Sequence, residues 1–408
     1  MALLLTGPVA QSVRADVLDT GVNAVAANAP AASPQLFVNP STGKDDVSVG
    51  RSEATPFKTI AYALQQAKAG DIVQLAAGLY SRETGETFPL VVPQGVTLQG
   101  NEFNQGSTVT IVGGDFFSSS WWGSQNIVLL PKSNSQVIGV SVTNGNSRGT
   151  GIWIESSNAT IRGCTFTKSA REGVFVAGTS NPTLENNLFS ENNANGVALT
   201  GNSTGVVRNN TFQNTGFGIA VSEKAAPQLV NNQVRGNVDG IVVSHTAAPQ
   251  LRGNIVESNK RDGLVAISAA KPDLGNATAP GRNVFRNNGR FAVYNATLKN
   301  SLVVEGNDIT GNMQLTANGP TGVDQNASPE AQAAAPNAAI AMTNVATTPA
   351  TAPAIAPKTA TTPAVKSVPS VKVALDANKL KQELAKAPTV QYKGKTYVLL
   401  ENLMRLTK

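Results

Sequence analysis

Between residues 151 and 266, short runs of alternating apolar and polar residues recur, and each run opens on a glycine. These glycines are Gly151, Gly173, Gly196, Gly218, Gly240 and Gly263, always 22 or 23 residues apart. Ala292 takes the equivalent place after a longer gap. Behind them come the pairs Ile152/Ile154, Val174/Val176, Val197/Leu199, Ile219/Val221, Ile241/Val243 and Leu264/Ala266. Period-two alternation puts both members of each pair on one face of a strand. A second register repeats at the same interval. Ile161, Leu184, Val207, Leu229, Leu251 and Val304 each stand three places before Cys164, Asn187, Asn210, Asn232, Asn254 and Asn307. Two places after those lie Phe166, Phe189, Phe212, Val234, Val256 and Ile309, while Asn283 and Phe285 fill the same slots in a coil lengthened by an insertion at 269–281.

Three inward-pointing rows at one period mean a coil stacked on copies of itself, with neighbouring strands about 4.8 Å apart. The pattern predicts an all-β fold, a right-handed parallel β-helix (a solenoid) with coils of 22–23 residues. The asparagines predict a ladder in which each side-chain amide bonds to the asparagine of the next coil, satisfying buried polar groups that cost about 1–3 kcal/mol each when unpaired. Cys164 replaces the first rung and reads as structural rather than reactive.

Residues 36–145 carry the same alternation less regularly, as at Val96/Leu98 and Val109/Ile111, and predict the early coils. Between Thr55 and Gly70 the spacing of Ile60, Ala63, Leu64 and Ala67 predicts an N-terminal capping helix, with Thr55 as its cap and Pro56 in its first turn. From Thr321 the chain turns to Ala, Pro, Thr and Val without periodicity, which predicts a disordered linker. The organisation expected is therefore a signal-like or disordered N-terminus at 1–35, a β-helix domain at 36–319, a linker at 320–370 and a small docking segment at 371–408. That last segment reads as a helix over 375–387 followed by a hairpin or strand over 391–400, and it suits a protein partner.

The formal charge of +6 changes this picture little. Residues 1–320 hold 22 Lys and Arg against 21 Asp and Glu, so the basicity sits in the tail. No basic stripe interleaved with aromatics appears, which argues against nucleic acid. One cysteine and one histidine, His245, exclude a disulfide framework and make a zinc hydrolase improbable. No apolar run is long enough to span a membrane. The start, MALLLTGPVAQSVRA, reads like a secretory signal without its basic n-region and points to export.

The opening LFVNPSTGKD at 36–45, TPFKTI at 55–60, AGDIVQL at 69–75 and GLY at 78–80 resemble the pectin-lyase-like superfamily of right-handed parallel β-helix proteins. Within it they resemble a bacterial subgroup described as a domain of unknown function, and the same opening occurs in some β-helical pectate lyases. The resemblance covers about residues 36–313. It implies an extracellular or periplasmic location and a long polysaccharide or cell-envelope glycan as ligand, without fixing an activity. In the superfamily's lyases an acidic cluster holds calcium against a uronate, and a Lys or Arg abstracts the neighbouring proton.

Three groups of residues bear on that chemistry. Asp239 and Asp262 precede repeat glycines on successive coils, beside Lys260 and Arg261. Two carboxylates about 4.8 Å apart offer a cation site, calcium by resemblance, with Arg261 as base; the plain alternative is a pair of solvated turn residues. Glu223, His245 and Ser268 lie five places past their glycines on three successive coils, an order in which Glu223 would orient His245 as a general base. Trp153 and Phe175 occupy outward slots on adjacent coils and suggest a platform for a sugar ring, with Trp121 and Trp122 in a loop-like insertion above it. The plain alternative is that those aromatics pack on Trp153 and Phe175 and close an apolar patch. Three functions remain open: a non-catalytic protein that binds or organises polysaccharide, a polysaccharide lyase, hydrolase or uronate epimerase, and a structural scaffold.

Overall fold

The computed structural model describes residues 33–317 and the short segments 389–392 and 395–398. Residues 33–317 form a parallel β-solenoid. A full turn contributes one strand to each of three sheets, and the last turns add strands to only two of them. Sheet I runs through nine strands, from Gln35–Val38 to Gln250–Arg252; sheet II through ten, from Gly78–Tyr80 to Asp308–Ile309; sheet III through eleven, from Leu90–Val92 to Met313–Gln314, counting one strand off its path. Pairing along each sheet is parallel, and the repeat glycines and apolar pairs fall in register: Ile152 faces Val174, Val174 faces Val197, and Ile241 faces Leu264. The three inward rows fill one continuous core in which Ile161, Leu184, Phe189, Phe212, Ile219 and Leu251 are fully buried. Phe166, Phe189 and Phe212 stack face to face down the interior, with centroids 5.1 and 4.7 Å apart.

The repeat glycines are required by closeness rather than by backbone angle. A Cβ on Gly151 would lie 2.5 Å from the carbonyl oxygen of Gly173 on the next turn, and one on Gly263 would lie 2.5 Å from that of Ala292. A side chain would clash there, so glycine recurs at these entries to sheet III from Gly151 to Gly263, and only the last equivalent place, Ala292, carries a Cβ.

Asparagine ladders tie the turns together. Asn187 Nδ2 donates to Asn210 Oδ1 at 3.0 Å, and the pattern continues through Asn232, Asn254 and Asn283 to Asn307. From Asn187 to Asn283 each amide also reaches a strand carbonyl, as Asn210 Nδ2 reaches Leu184 O at 2.9 Å. A second ladder, unread in the sequence, stands five residues further on. There Asn237 Nδ2 donates to Asn259 Oδ1 and Asn259 Nδ2 to Asn288 Oδ1. Its earlier rungs are Ser169, Asn192 and Thr215, and that mixture hid the row. Cys164 is fully buried at the head of the first ladder: its backbone N–H donates to Asn187 Oδ1, and burial pushes the thiol up to about 12, which leaves it unreactive in the folded protein.

The helix is Ile60–Gln66, shorter than expected, and Thr59 rather than Thr55 caps it by accepting from Tyr62 N at 3.1 Å. Thr55 and Pro56 are held outside because Phe57 exchanges main-chain bonds with Phe37 and Asn39. Ile60, Ala63 and Leu64 are buried, and the helix packs on Gln35–Val38, Ile72–Leu75 and Leu90–Val92.

Glu86, 3% exposed, accepts from Ile60 N at 2.6 Å and Ala61 N at 3.0 Å, beside Asp45, which accepts from Lys58 N and Thr59 N. Burial pushes the Glu86 carboxyl up to about 7 against the pull of those two N–H bonds, and the negative charge of Asp45 adds to the rise. A carboxyl whose folded pKa lies above its unfolded value gives stability that is complete below the unfolded value and is lost as pH rises through the folded one. The chain is therefore expected to be about 2–3 kcal/mol less stable at pH 8 than at pH 4.5 from this group, and Glu86→Gln should flatten that slope in urea titrations. An unchanged slope in the variant would remove Glu86 as its source.

A separate unit begins at residue 346. In it Thr389–Tyr392 pairs antiparallel with Lys395–Val398, Thr389 opposite Val398 and Tyr392 opposite Lys395. The signal-like start, the linker and the helix expected over 375–387 lie outside the described residues.

Candidate functional site

Sheet III carries the outward features that the sequence singled out. Its outward row runs in register through Trp153, Phe175, Ala198, Ala220, Val242, Val265 and Tyr294, one residue per turn. Strand spacing makes the span from Phe175 to Tyr294 about 24 Å. Two insertions leave the sheet at opposite strand ends: one precedes Gly123–Pro131 and the other, 269–281, follows Leu264–Ser268.

The first insertion is not a loop. Asp115–Ser119 pairs antiparallel with the front of Gly123–Pro131, giving a hairpin laid over the early part of the outward row. Alternation along it sends Phe117 and Trp122 inwards and leaves Phe116 and Trp121 61% exposed. Trp153 and Phe175 do stack, with centroids 4.1 Å apart and planes 15° from parallel. They are nevertheless 0% and 1% exposed, because Trp122 packs edge-on against Phe175 at 5.4 Å and Phe117 tilts over Trp153. This corrects the open platform expected of the pair: the hairpin covers it, and of the four aromatics only Trp121 reaches solvent freely. Glu155 fastens the hairpin, accepting from Ser119 Oγ at 2.7 Å, Ser120 N at 3.1 Å and Trp153 Nε1 at 2.8 Å.

Asp239 and Asp262 do lie on neighbouring turns, but they are buried, at 1% and 0% exposure. Each faces an arginine from the following turn. Arg261 grips Asp239 through Nε at 2.8 Å and through Nη2, and Arg290 grips Asp262 through Nε at 3.0 Å and Nη2 at 2.6 Å. Backbone N–H groups of Asp262 and Phe291 complete the carboxylates' partners. Both expectations for this pair therefore need correction, since these are neither solvated turn residues nor an open cation site. Calcium takes six to eight oxygens, whereas these carboxylates are already committed to guanidinium groups, and among the described residues no cluster of three or more His, Cys, Asp or Glu could hold a metal. Arg261 as a free base fails for the same reason.

The row Glu223, His245 and Ser268 is assembled by a backbone demand. All three sit at positive φ (56°, 58° and 62°), at the corner that closes each sheet III strand, where Gly178 and Gly201 stand on earlier turns. Ser244 Oγ meets the exposed His245 ring at Nδ1, 3.2 Å away, while main-chain contacts link the row: Thr246 N donates to Glu223 O and Ala269 N to His245 O. Among the described residues no hydrogen bond joins the Glu223 carboxylate to the imidazole, so the proposed orientation of a general base is not formed.

Beyond the hairpin, Arg290 lies over both Phe291 and Tyr294, 5.4 and 4.9 Å from their centroids, and those two rings stack at 4.8 Å. The sequence reading missed this group because the lengthened coil shifts it out of the 22-residue count. Phe291 is the counterpart of Asp239 and Asp262, one place before Ala292.

These features define a parallel β-helix protein with one sheet face roofed by a hairpin and otherwise lined by apolar and aromatic side chains. The chain belongs to the family described as "Protein of unknown function (DUF1565)", whose model matches residues 41–312. No curated protein matches it. Among solved structures it is similar to pectate lyase Pel9A, at 14% identity over 68% of this chain and 78% of that one, with a TM-score of 0.44. It is also similar to XylC in complex with xylose, at 10% identity over 67% of each chain and a TM-score of 0.45. A third is the periplasmic alginate epimerase AlgG, at 15% identity over 56% of this chain and 62% of that one, with a TM-score of 0.32.

Proposed function

We propose that the protein is an exported, non-catalytic β-helix that binds polysaccharide along the outer face of sheet III. The observation that carries this is the open end of the outward row, where Val265 and Tyr294 are half-buried beside the Phe291 ring, while Phe175, Ala198, Ala220 and Val242 behind them are buried. Sugar rings present flat apolar faces, and aromatic rings such as Tyr294 and Phe291 accept them. Arg290 fixes those rings from one side. The exposed Trp121 at the hairpin adds an aromatic contact at the other end of the strip. Buried, arginine-paired acids support binding over bond cleavage, since general acid–base work needs carboxyls that reach the substrate.

The test is retention of the full chain on a panel of immobilised polysaccharides. Retention of wild type is expected, with Tyr294→Ala weakening it about tenfold, or ~1.4 kcal/mol, and Thr183→Ala on the outer face of sheet I leaving it unchanged. Equal loss in both variants, or none in Tyr294→Ala, would remove the strip as the site. Release of unsaturated or reducing ends during the assay would replace binding with catalysis.

A further inference from the structure

We propose that the cavity between the 269–281 insertion and residues 299–303 binds a phosphate monoester of a small hydroxylated molecule, such as a sugar phosphate. The site lies beyond the end of the sheet III strip and stands independently of the polysaccharide reading.

The cavity has a volume of about 490 Å³, within the range of small-molecule sites, and opens to solvent. Its walls are pinned by their own hydrogen bonds. Asn300 Nδ2 donates to Ala269 O at 3.1 Å and Ala270 O at 2.9 Å, and Asn300 O accepts from Asn295 Nδ2 at 2.7 Å. Across the cavity, Gly275 N donates to Asp273 Oδ1 at 2.9 Å. A concavity fixed before its ligand arrives loses less ordering entropy on binding.

Its charge is unbalanced. Lys271 and Lys299 both line it, and neither has an ion-pair partner among the described residues. The one acid in the lining, Asp273, is neutralised by Arg252, whose Nη2 lies 2.7 Å away, with Gln250 Nε2 at 3.2 Å. Two uncompensated ammonium groups on one cavity match the charge of about −1.5 to −2 that a phosphate monoester carries at neutral pH. Lysine is a point-charge partner for phosphate and imposes no planar geometry. The rest of the lining divides by chemistry: Asn276 and Ser301 supply hydrogen-bonding groups for hydroxyls, and Leu302 and Val303 supply an apolar wall for a carbon ring. A bare anion uses the first feature only, and a neutral sugar uses the other two only.

Isothermal titration of the full chain with a hexose phosphate, the same hexose and inorganic phosphate separates these cases. The hexose phosphate should bind tightest, inorganic phosphate more weakly, and the neutral hexose not measurably. Charge reversal at both lysines, Lys271→Glu with Lys299→Glu, should weaken the hexose phosphate at least about tenfold. Because both lysines are exposed, the variant should melt as wild type does, and Lys271→Gln with Lys299→Gln gives a milder second reading of the same loss. Three results overturn the proposal: no heat from the hexose phosphate, an affinity unchanged by charge reversal, or inorganic phosphate or free hexose binding as tightly as the ester.

Discussion

Asn232→Leu is expected to destabilise the β-helix by about 3–5 kcal/mol, read as a lowered urea midpoint. Asn232 is fully buried, and its amide makes four bonds. Nδ2 donates to Val207 O at 2.8 Å and to Asn254 Oδ1 at 2.9 Å, while Oδ1 accepts from Asn210 N and Asn210 Nδ2, both at 3.1 Å. Leucine is close in size, so the change tests hydrogen bonding more than packing. It strands the Val207 carbonyl and the Asn210 backbone N–H inside a core that water does not reach, at about 1–3 kcal/mol each, and severs the ladder between two turns. A substitution on the outer face of sheet I, such as Thr183→Ala, should cost no more than about 0.5 kcal/mol. If Asn232→Leu cost as little, the ladder would be a by-product of turn geometry rather than a source of stability.

Arg261→Met is expected to destabilise by a similar about 3–5 kcal/mol, for an electrostatic reason. Asp239 is buried, and apart from Arg261 its oxygens meet the Asp262 N–H at 3.2 Å. Removing the guanidinium leaves a carboxylate out of water without its counter-charge, and that penalty exceeds what the intact pair contributes. Adding Asp239→Asn to Arg261→Met should therefore restore much of the loss, because the uncompensated charge disappears with it. A double variant no more stable than the single one would show that Arg261 acts through packing of its stem.

The solenoid was legible because its inward rows are nearly uniform. Asn187, Asn210, Asn232 and Asn254 stand at one interval, and so do the glycines, whose need arises from the neighbouring turn rather than from local geometry. The outer face was less legible. That Trp153 and Phe175 would meet follows from register, but their burial depends on Asp115–Ser119 folding back as a strand, and that segment, with its two Phe and two Ser side by side, lacks the alternation that would announce one. The pairing of Asp262 with Arg290 was hidden differently. The residues are 28 apart, because the 269–281 insertion intervenes, while the sister pair Asp239–Arg261 is 22 apart. Glu223, His245 and Ser268 show the converse hazard. Stacking any three turns aligns polar residues at a left-handed corner, whether or not they share chemistry.

The ladder from Asn187 to Asn307 also has a consequence for how such a chain changes length over evolutionary time. Every rung from Asn187 to Asn283 donates to the turn after through Nδ2, and every rung from Asn210 to Asn307 accepts from the turn before through Oδ1. Loss or duplication of one whole turn would rejoin like to like, whereas loss of half a turn would break all three sheets at once. The molecule's reach is thus quantised, adjustable in steps of about 4.8 Å, with lengthened corners such as 269–281 free to acquire new surfaces without disturbing the count.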